Sequence, residues 1–538
     1  MKKLLLNTLL LLFFWNINSQ NWGEQILNQP NAATNNFFGY SVDIDGDYAI
    51  VGAHGENEIT GSAHIFKKDI NGIWNHHQKI EAYIGKHLDE FFGWAVAIDG
   101  DFVFVSARTD RLNEEKFEGL AGSVMIYKKD ANDVWNGIQR IRSSDITIGD
   151  NFGYDISVDG DFLVIGADGQ DYDADGQNKI TTAGAAYIFK KNINGIWNQI
   201  QKITPSHRAY SDNIGRSVSI SGNYIILASE NDTDEDNANA LNGNGSAFVF
   251  KKNDNDDIWT EVQKLKPSNG ESGSHFGFGD VTISGNFIAV GAKSLDKLEN
   301  NQWFYGHVFI FKKNQDGVWN ESQILKTAFP ASNFGSGVSL DGNLLLVSAP
   351  LSRVVENGST IIGVGLSYLY VKDENDEFIF AETIKTSEIN TNSTIGEGEW
   401  DGTPSTASIA ISDNHFIIGA ANIDDLINNP VRYNLGKAFI SGNVEVLGLL
   451  NVLTTEDNLE TSFNVYPNPI KDKLRINLAN KTSNVKIFIF DALGKIILEK
   501  EFYNISKLEF DFSFPKGIYL SKIILENKLT SVVKLIKN

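Results

Sequence analysis

The 538-residue sequence contains no cysteine. That excludes disulfides, thiolate nucleophiles, Cys-ligated zinc and a lipidated N-terminal cysteine, so packing must hold the fold together. Positive charge is scarce: 46 Lys+Arg stand against 68 Asp+Glu, a net −22. Phosphate backbones are bound through Lys and Arg contacts that displace counterions, so nucleic acid is not an expected partner. Beyond the N-terminus no segment holds 18 consecutive apolar residues, and no transmembrane span is expected. What is present is ordinary for a folded chain, 42% hydrophobic and 21% charged, which excludes extended disorder as the main theme.

Both ends differ from the middle. Met1-Lys2-Lys3 precedes the apolar run Leu4 to Trp15, too short to span a bilayer, and Ser19 offers a small residue for cleavage. The pattern predicts a signal peptide over residues 1–19 and a mature start at Gln20 or Asn21. From Leu459 on there are 13 Lys+Arg and 8 Asp+Glu, a net +5, which leaves −27 for residues 1–458. The change of sign marks a domain boundary, with a linker expected over 451–462 and a tail domain over 463–538. Alternating segments in the tail, such as Val485 to Phe490 and Ile518 to Ile524, predict a small Ig-like β-sandwich.

The tail also carries Val465-Tyr466-Pro467-Asn468-Pro469, Asp491-Ala492-Leu493-Gly494-Lys495 and Lys516-Gly517-Ile518-Tyr519-Leu520, and it closes on Lys534-Leu535-Ile536-Lys537. In that order these stretches resemble the C-terminal sorting domain of type IX secretion substrates in the Bacteroidetes. The resemblance implies an address and not an activity. It makes the type IX secretion machinery a partner and places the protein outside the cell or on the outer-membrane surface, after signal-peptide export.

Between its ends the chain repeats itself. One unit runs Phe38-Gly39-Tyr40-Ser41-Val42-Asp43-Ile44-Asp45-Gly46, then Tyr48 to Ala53, then Gly61-Ser62-Ala63-His64-Ile65-Phe66-Lys67-Lys68, then Trp74 to Ile80. The pattern returns at Gly93, Gly153, Gly215, Gly277 and Gly335, in steps of 54, 60, 62, 62 and 58 residues. A worn seventh copy holds Ser408 to Ile411 and Phe416 to Ala420. Each unit reads as four short strands with Asp-Gly or Asn-Gly hairpins. Seven such units predict an all-β fold, a seven-bladed β-propeller over residues 20–450, because closure into a ring hides sheet edges. Fourth strands keep a four-residue spacing, Trp74/Gln78 to Trp319/Gln323, with Phe378/Glu382 as a variant. The seventh copy lacks one, whereas Trp22 to Leu27 stands alone before the first repeat, so that segment is expected beside Lys437 to Ile440.

The Phe-Gly start and the Gly-Ala finish resemble the FG-GAP repeat of integrin α-subunit heads and many bacterial surface proteins. Integrin calcium loops lie in the first hairpin; here that hairpin is only Asp45-Gly46 or Ser221-Gly222, so those cages do not carry over.

Variable loops projecting from a rigid ring are the usual seat of function. The loop after Ala167 holds Asp171, Asp173 and Asp175 followed by Gly176, and the loop after Ala228 holds Asp232, Asp234 and Asp236. Oxygen ligands at alternate positions, with glycine allowing a sharp turn, suit calcium, so both triplets are candidate ligands and the first is the better formed. A solvated acidic loop is the alternative, since the twelfth position from Asp171 is Thr182 and not the bidentate Glu of an EF-hand. Turns such as Asp69 to Trp74 are similar to the Asp-box of sialidases but are expected to serve structure. Arg108, Arg111, Arg216 and Arg353 belong to no motif that would gather them. The recurrent Lys-Lys pairs, from Lys67-Lys68 to Lys312-Lys313, are expected to solubilise or protect sheet edges. No nucleophile elbow, zinc motif or phosphate loop is found. The expected function is non-catalytic binding of an extracellular protein or glycan through the loop face, as in adhesion. A carbohydrate-active hydrolase or lyase, and a structural matrix component, are the alternatives.

Overall fold

Each repeat folds as one four-stranded antiparallel sheet, and seven such sheets follow one another as the blades of a propeller. The computed structural model describes residues 24–537 except for 83–89, 114–117, 233–243, 269–275, 300–301, 328–332, 351, 357–358, 363–364, 374, 387–407, 413–414, 422–435, 442–462, 467–469, 472, 491–495, 515–516 and 526–527. The signal peptide expected over 1–19, Trp22, and the linker expected over 451–462 lie outside the described residues. The chain divides into two units, residues 25–442 and a second that includes 443–538.

Blade 3 shows the pattern: Ile156–Asp159, Phe162–Ala167, Ala185–Lys191 and Trp197–Ile203, in that order across the sheet. In blade 7, Ile409–Ser412, His415–Ala420 and Lys437–Ser441 are completed by Gln25–Leu27, with Gln25 opposite Ile440 and Leu27 opposite Ala438. Among the described residues the one helical turn is Glu56–Ile59.

The apolar core lies between blades. One cluster joins Val164, Ala186 and Ile188 of blade 3 to Val218, Ile220, Phe248 and Trp259 of blade 4. The repeated phenylalanines Phe38, Phe92, Phe152, Phe276 and Phe334 are fully buried, each contributing about 1.5–3 kcal/mol. They seat against a recurrent glycine at the head of the preceding blade's third strand, as in the Gly61–Phe92 and Gly122–Phe152 bridges. At Gly184 an added Cβ would lie 2.1 Å from the Ile214 carbonyl oxygen, so only glycine permits this approach. The Phe38–Gly436 bridge makes the same joint between blades 7 and 1.

Glutamine clamps bind the outer strands. Gln201 donates from Nε2 to the Trp259 carbonyl at 2.8 Å and accepts from the Trp259 N–H at 2.8 Å. Gln78, Gln139, Gln263 and Gln323 do the same for Trp135, Trp197, Trp319 and Phe378. Gln25 accepts from Trp74 N and donates to the Gly72 carbonyl, both at 2.8 Å, closing the ring. The lysine pairs bridge blades as well. Lys191 lies over Phe102 of blade 2 and Trp197 of its own blade, while Lys190 pairs with Asp257 of blade 4. These contacts add inter-blade cohesion to the solubilising or edge-protecting role read from the sequence.

In the tail, Phe463–Tyr466, Lys473–Phe490, Ile496–Asp511, Gly517–Leu525 and Lys528–Lys537 form an antiparallel five-stranded sheet. Its own core includes Leu474, Ile476, Ile487, Phe512 and Leu535. Lys473–Phe490 pairs directly with three of the other strands, and Lys528–Lys537 joins through Gly517–Leu525; these pairings by themselves do not make the small Ig-like β-sandwich that was expected.

Candidate functional site

The first strand of each blade is innermost, and its outward N–H groups face the neighbouring blade without a ladder partner. Short polar side chains fill that need. Asp43 accepts from Ile98 N at 2.8 Å, Asp155 from Val218 N at 2.7 Å, Ser217 from Val281 N at 3.1 Å and Ser339 from Ile411 N at 3.1 Å. Ser408 accepts from Val42 N at 2.7 Å and completes the circle. Such pairing is what a buried backbone donor requires. The strands enclose a polar central channel of about 570 Å³, a size common among ligand pockets. Desolvation inside the ring pushes Asp43 and Asp280 up to about 7 and Asp155 to about 6.

At the mouth where the variable loops leave, two repeat positions converge: the residue after the opening Phe-Gly, or Ile-Gly in blade 4, and the residue after the two small residues that close the second-strand motif, as in Gly291-Ala292-Lys293. The first supplies Tyr40, Trp94, Tyr154, Arg216 and Phe278, all lining the channel; the second supplies Arg108, Asp168, Glu230 and Lys293. Cations and rings alternate. The Arg108 guanidinium lies 4.3 Å from the Trp94 centroid and 4.8 Å from that of Tyr154. Arg216 lies 5.4 Å from Tyr154 and 5.5 Å from Phe278, and the Lys293 ammonium is 3.9 Å from Phe278. Tyr40 extends the wall, 4.7 Å from Trp94.

The acids at this mouth are partly committed. Glu230 pairs with Arg216 at 2.5 Å, and Asp168 accepts from Asn151 at 2.9 Å. Burial raises the Asp168 carboxyl above its ordinary range and lifts the Tyr154 hydroxyl to about 12. Burial, with the Arg216 charge beside it, pulls Lys293 down to about 8.

The acidic triplets are arranged differently. Asp171 accepts from Thr182 N at 2.9 Å and pairs with Lys179 at 3.3 Å; Asp173 accepts from Gln177 N at 2.8 Å and from the Asn178 amide; Asp175 is exposed. Their loop uses two of the three carboxylates to fix its own turn. Asp232 is buried, held by His207 at 2.9 Å and Lys264 at 2.6 Å, whereas Asp234 and Asp236 lie outside the described residues. His207, Asp212 and Asp232 do cluster within metal-ligating reach, and burial raises Asp212 to about 7. Lys264 already supplies a cation there, so the group reads as an ion-paired cluster.

Sequence reading missed Arg108, Arg216 and Lys293 as a set. Their signal was positional, two fixed offsets within the repeat, and no local motif marks them.

Five segments, residues 22–66, 74–127, 135–189, 197–250 and 259–311, match the family described as FG-GAP repeat, and residues 464–538 match the secretion system C-terminal sorting domain. No curated protein matches the chain. Among solved structures, a candidate 6-phosphogluconolactonase from Bacteroides uniformis is similar at 13% identity and a TM-score of 0.40, covering 64% of this chain and 85% of that one. A hypothetical selenium-binding protein from Sulfolobus tokodaii is similar at 10% identity and a TM-score of 0.39, covering 66% and 77%.

Proposed function

Because this chain belongs to the FG-GAP repeat proteins and ends in a type IX secretion sorting domain, we propose that it is a non-catalytic recognition protein. It is a secreted or cell-surface protein, and among its described residues no helix is long and apolar enough to cross a membrane. Its partner is an extracellular protein or glycan held at the variable-loop face, in the manner of an adhesin.

The observation that carries this reading is the ladder of rings and cations at the channel mouth. Aromatic and Arg side chains are the groups that dominate recognition surfaces, combining contact area with directed hydrogen bonds. The hydrolase alternative needs two free carboxyl groups about 5–10 Å apart in one pocket. Of the aspartates that line the channel, Asp43, Asp45, Asp99, Asp155, Asp159 and Asp280 instead accept from backbone N–H groups of a neighbouring blade, which favours a structural task for them.

The test is to probe an array of glycans and matrix proteins with the full mature chain, once with calcium and once with chelator. Selective binding supports recognition, and loss in chelator would assign calcium to loops such as Asp171 to Asp175. Silence in both conditions would refute it.

A further inference from the structure

We propose that the channel mouth binds the oxyanion of an acidic glycan, a uronate carboxylate or a sulfate ester. This deepens the recognition reading and rests on it. The protein is strongly acidic overall, with a net charge of −22, yet three of its cations converge here.

Among the described residues, two of those cations make no direct hydrogen bond or ion-pair contact with an acid, although Asp280 and Glu230 act on Lys293, and Asp168 on Arg108, through space. Lys293 lines the channel at 3% exposure and, among the described residues, makes no hydrogen bond or ion pair; the Phe278 ring beneath it is its close contact. An ammonium withdrawn from water without a bonded anion is costly, and burial accordingly pulls it down to about 8. Arg108 stacks between Trp94 and Tyr154 with its Nε buried and unpaired. A stacked guanidinium holds its N–H fork in a fixed plane, the geometry that grips an oxyanion through two hydrogen bonds. The nearby acids bond elsewhere and meet this need only through space: Glu230 bonds Arg216, Asp168 bonds Asn151 while attracting Arg108, and Asp280 bonds the Val338 N–H while attracting Lys293. A ligand oxyanion would supply the missing acceptors.

The walls favour a sugar over an acidic peptide. Tyr40, Tyr154 and Phe278 stay partly exposed in the channel lining beside the cations, and the C–H face of a pyranose ring packs on such ring surface while its charged group reaches the cations. The channel behind them, about 570 Å³, is lined by serines and by aspartates such as Asp43, Asp155 and Asp280, which can accept from sugar hydroxyls and keep the charged group at the mouth with the cations.

Isothermal titration of the full mature chain with tetragalacturonate, a sulfated carrageenan tetrasaccharide, neutral cellotetraose and a hexaglutamate peptide tests this. At least one acidic tetrasaccharide should bind roughly tenfold or more tighter than cellotetraose and weaken with salt. Lys293→Met and Arg108→Gln should each lower that affinity roughly tenfold in chains shown to fold by circular dichroism. Arg108 is only half-buried, so its variant keeps the test decisive if Lys293→Met fails to fold. Equal binding of cellotetraose, no binding of either acidic sugar, binding of hexaglutamate in their place, or affinity unchanged in the folded variants would each overturn the proposal. Any of these alongside hits on the wider array would leave the recognition reading standing.

Discussion

Removing one glutamine clamp should weaken the ring measurably. Gln201 spans two blades with two 2.8 Å hydrogen bonds to the backbone of Trp259, a residue only 2% exposed. In Gln201→Ala both bonds vanish and a buried N–H and carbonyl are left without partners. A net value of about 1 kcal/mol per bond, with up to about 3 kcal/mol for each stranded group, places the loss at about 2–6 kcal/mol. The control is Gln177→Ala, whose exposed amide reaches only its own loop at 3.3 Å and whose change should stay within about 0.5 kcal/mol. Urea unfolding of the full chain, followed by tryptophan fluorescence and compared at equal slope, reads the difference. If Gln201→Ala unfolds within about 0.5 kcal/mol of the control, the clamps do not carry inter-blade stability and the reasoning fails.

Other outcomes follow from the same structure. Lys191→Met should cost about 0.5–1 kcal/mol in the same assay by losing its place over Phe102 and Trp197; a purely solubilising lysine would leave stability unchanged. Gly184→Ala, with φ +83 and a Cβ driven into Ile214, should lose about 2–5 kcal/mol. Gly160→Ala, at φ +59 with open space around it, should lose only about 1–2 kcal/mol, and equal losses at the two sites would contradict the close blade approach. Glu382 stands where other blades have the clamping glutamine, and desolvation pushes its carboxyl up to about 7. The folded state thus holds this proton more tightly than the unfolded state. Its contribution is full below about pH 4 and is lost as pH rises through 7. Glu382→Gln should therefore raise the melting temperature at pH 8 and change it little at pH 4; a shift equal at both would sink the assignment.

The ring itself was largely written in the sequence, because each blade repeats a period-2 pattern, a hairpin glycine and a buried Phe-Gly start. The Trp/Gln spacing was visible, but its meaning was not: Gln201 and Trp259 lie 58 residues apart, and only ring closure brings them together. The same holds for the lysine pairs, whose partners sit one blade away. The channel mouth was hidden for a further reason. Arg108, Arg216 and Lys293 come from three blades and stand in no shared motif, so their convergence depends on curvature that periodicity does not encode. The Asp171 loop reads both ways in the sequence, since alternating carboxylates suit calcium and serve equally to cap a turn's own N–H groups, as Asp171 and Asp173 do here.

The central claim is that the loop face, at the channel mouth, is the recognition surface. The most direct measurement compares the full chain, the Arg108→Gln/Lys293→Met variant and an Ile70→Ser/Ile193→Ser variant on one array of glycans and matrix proteins. Ile70 and Ile193 are fully exposed on the Asn-Gly hairpins, at the ends of the strands away from the mouth. The account predicts that the mouth variant loses the hits of the parent chain while the hairpin variant keeps them. Hits that survive the mouth changes and vanish with the hairpin changes would contradict it.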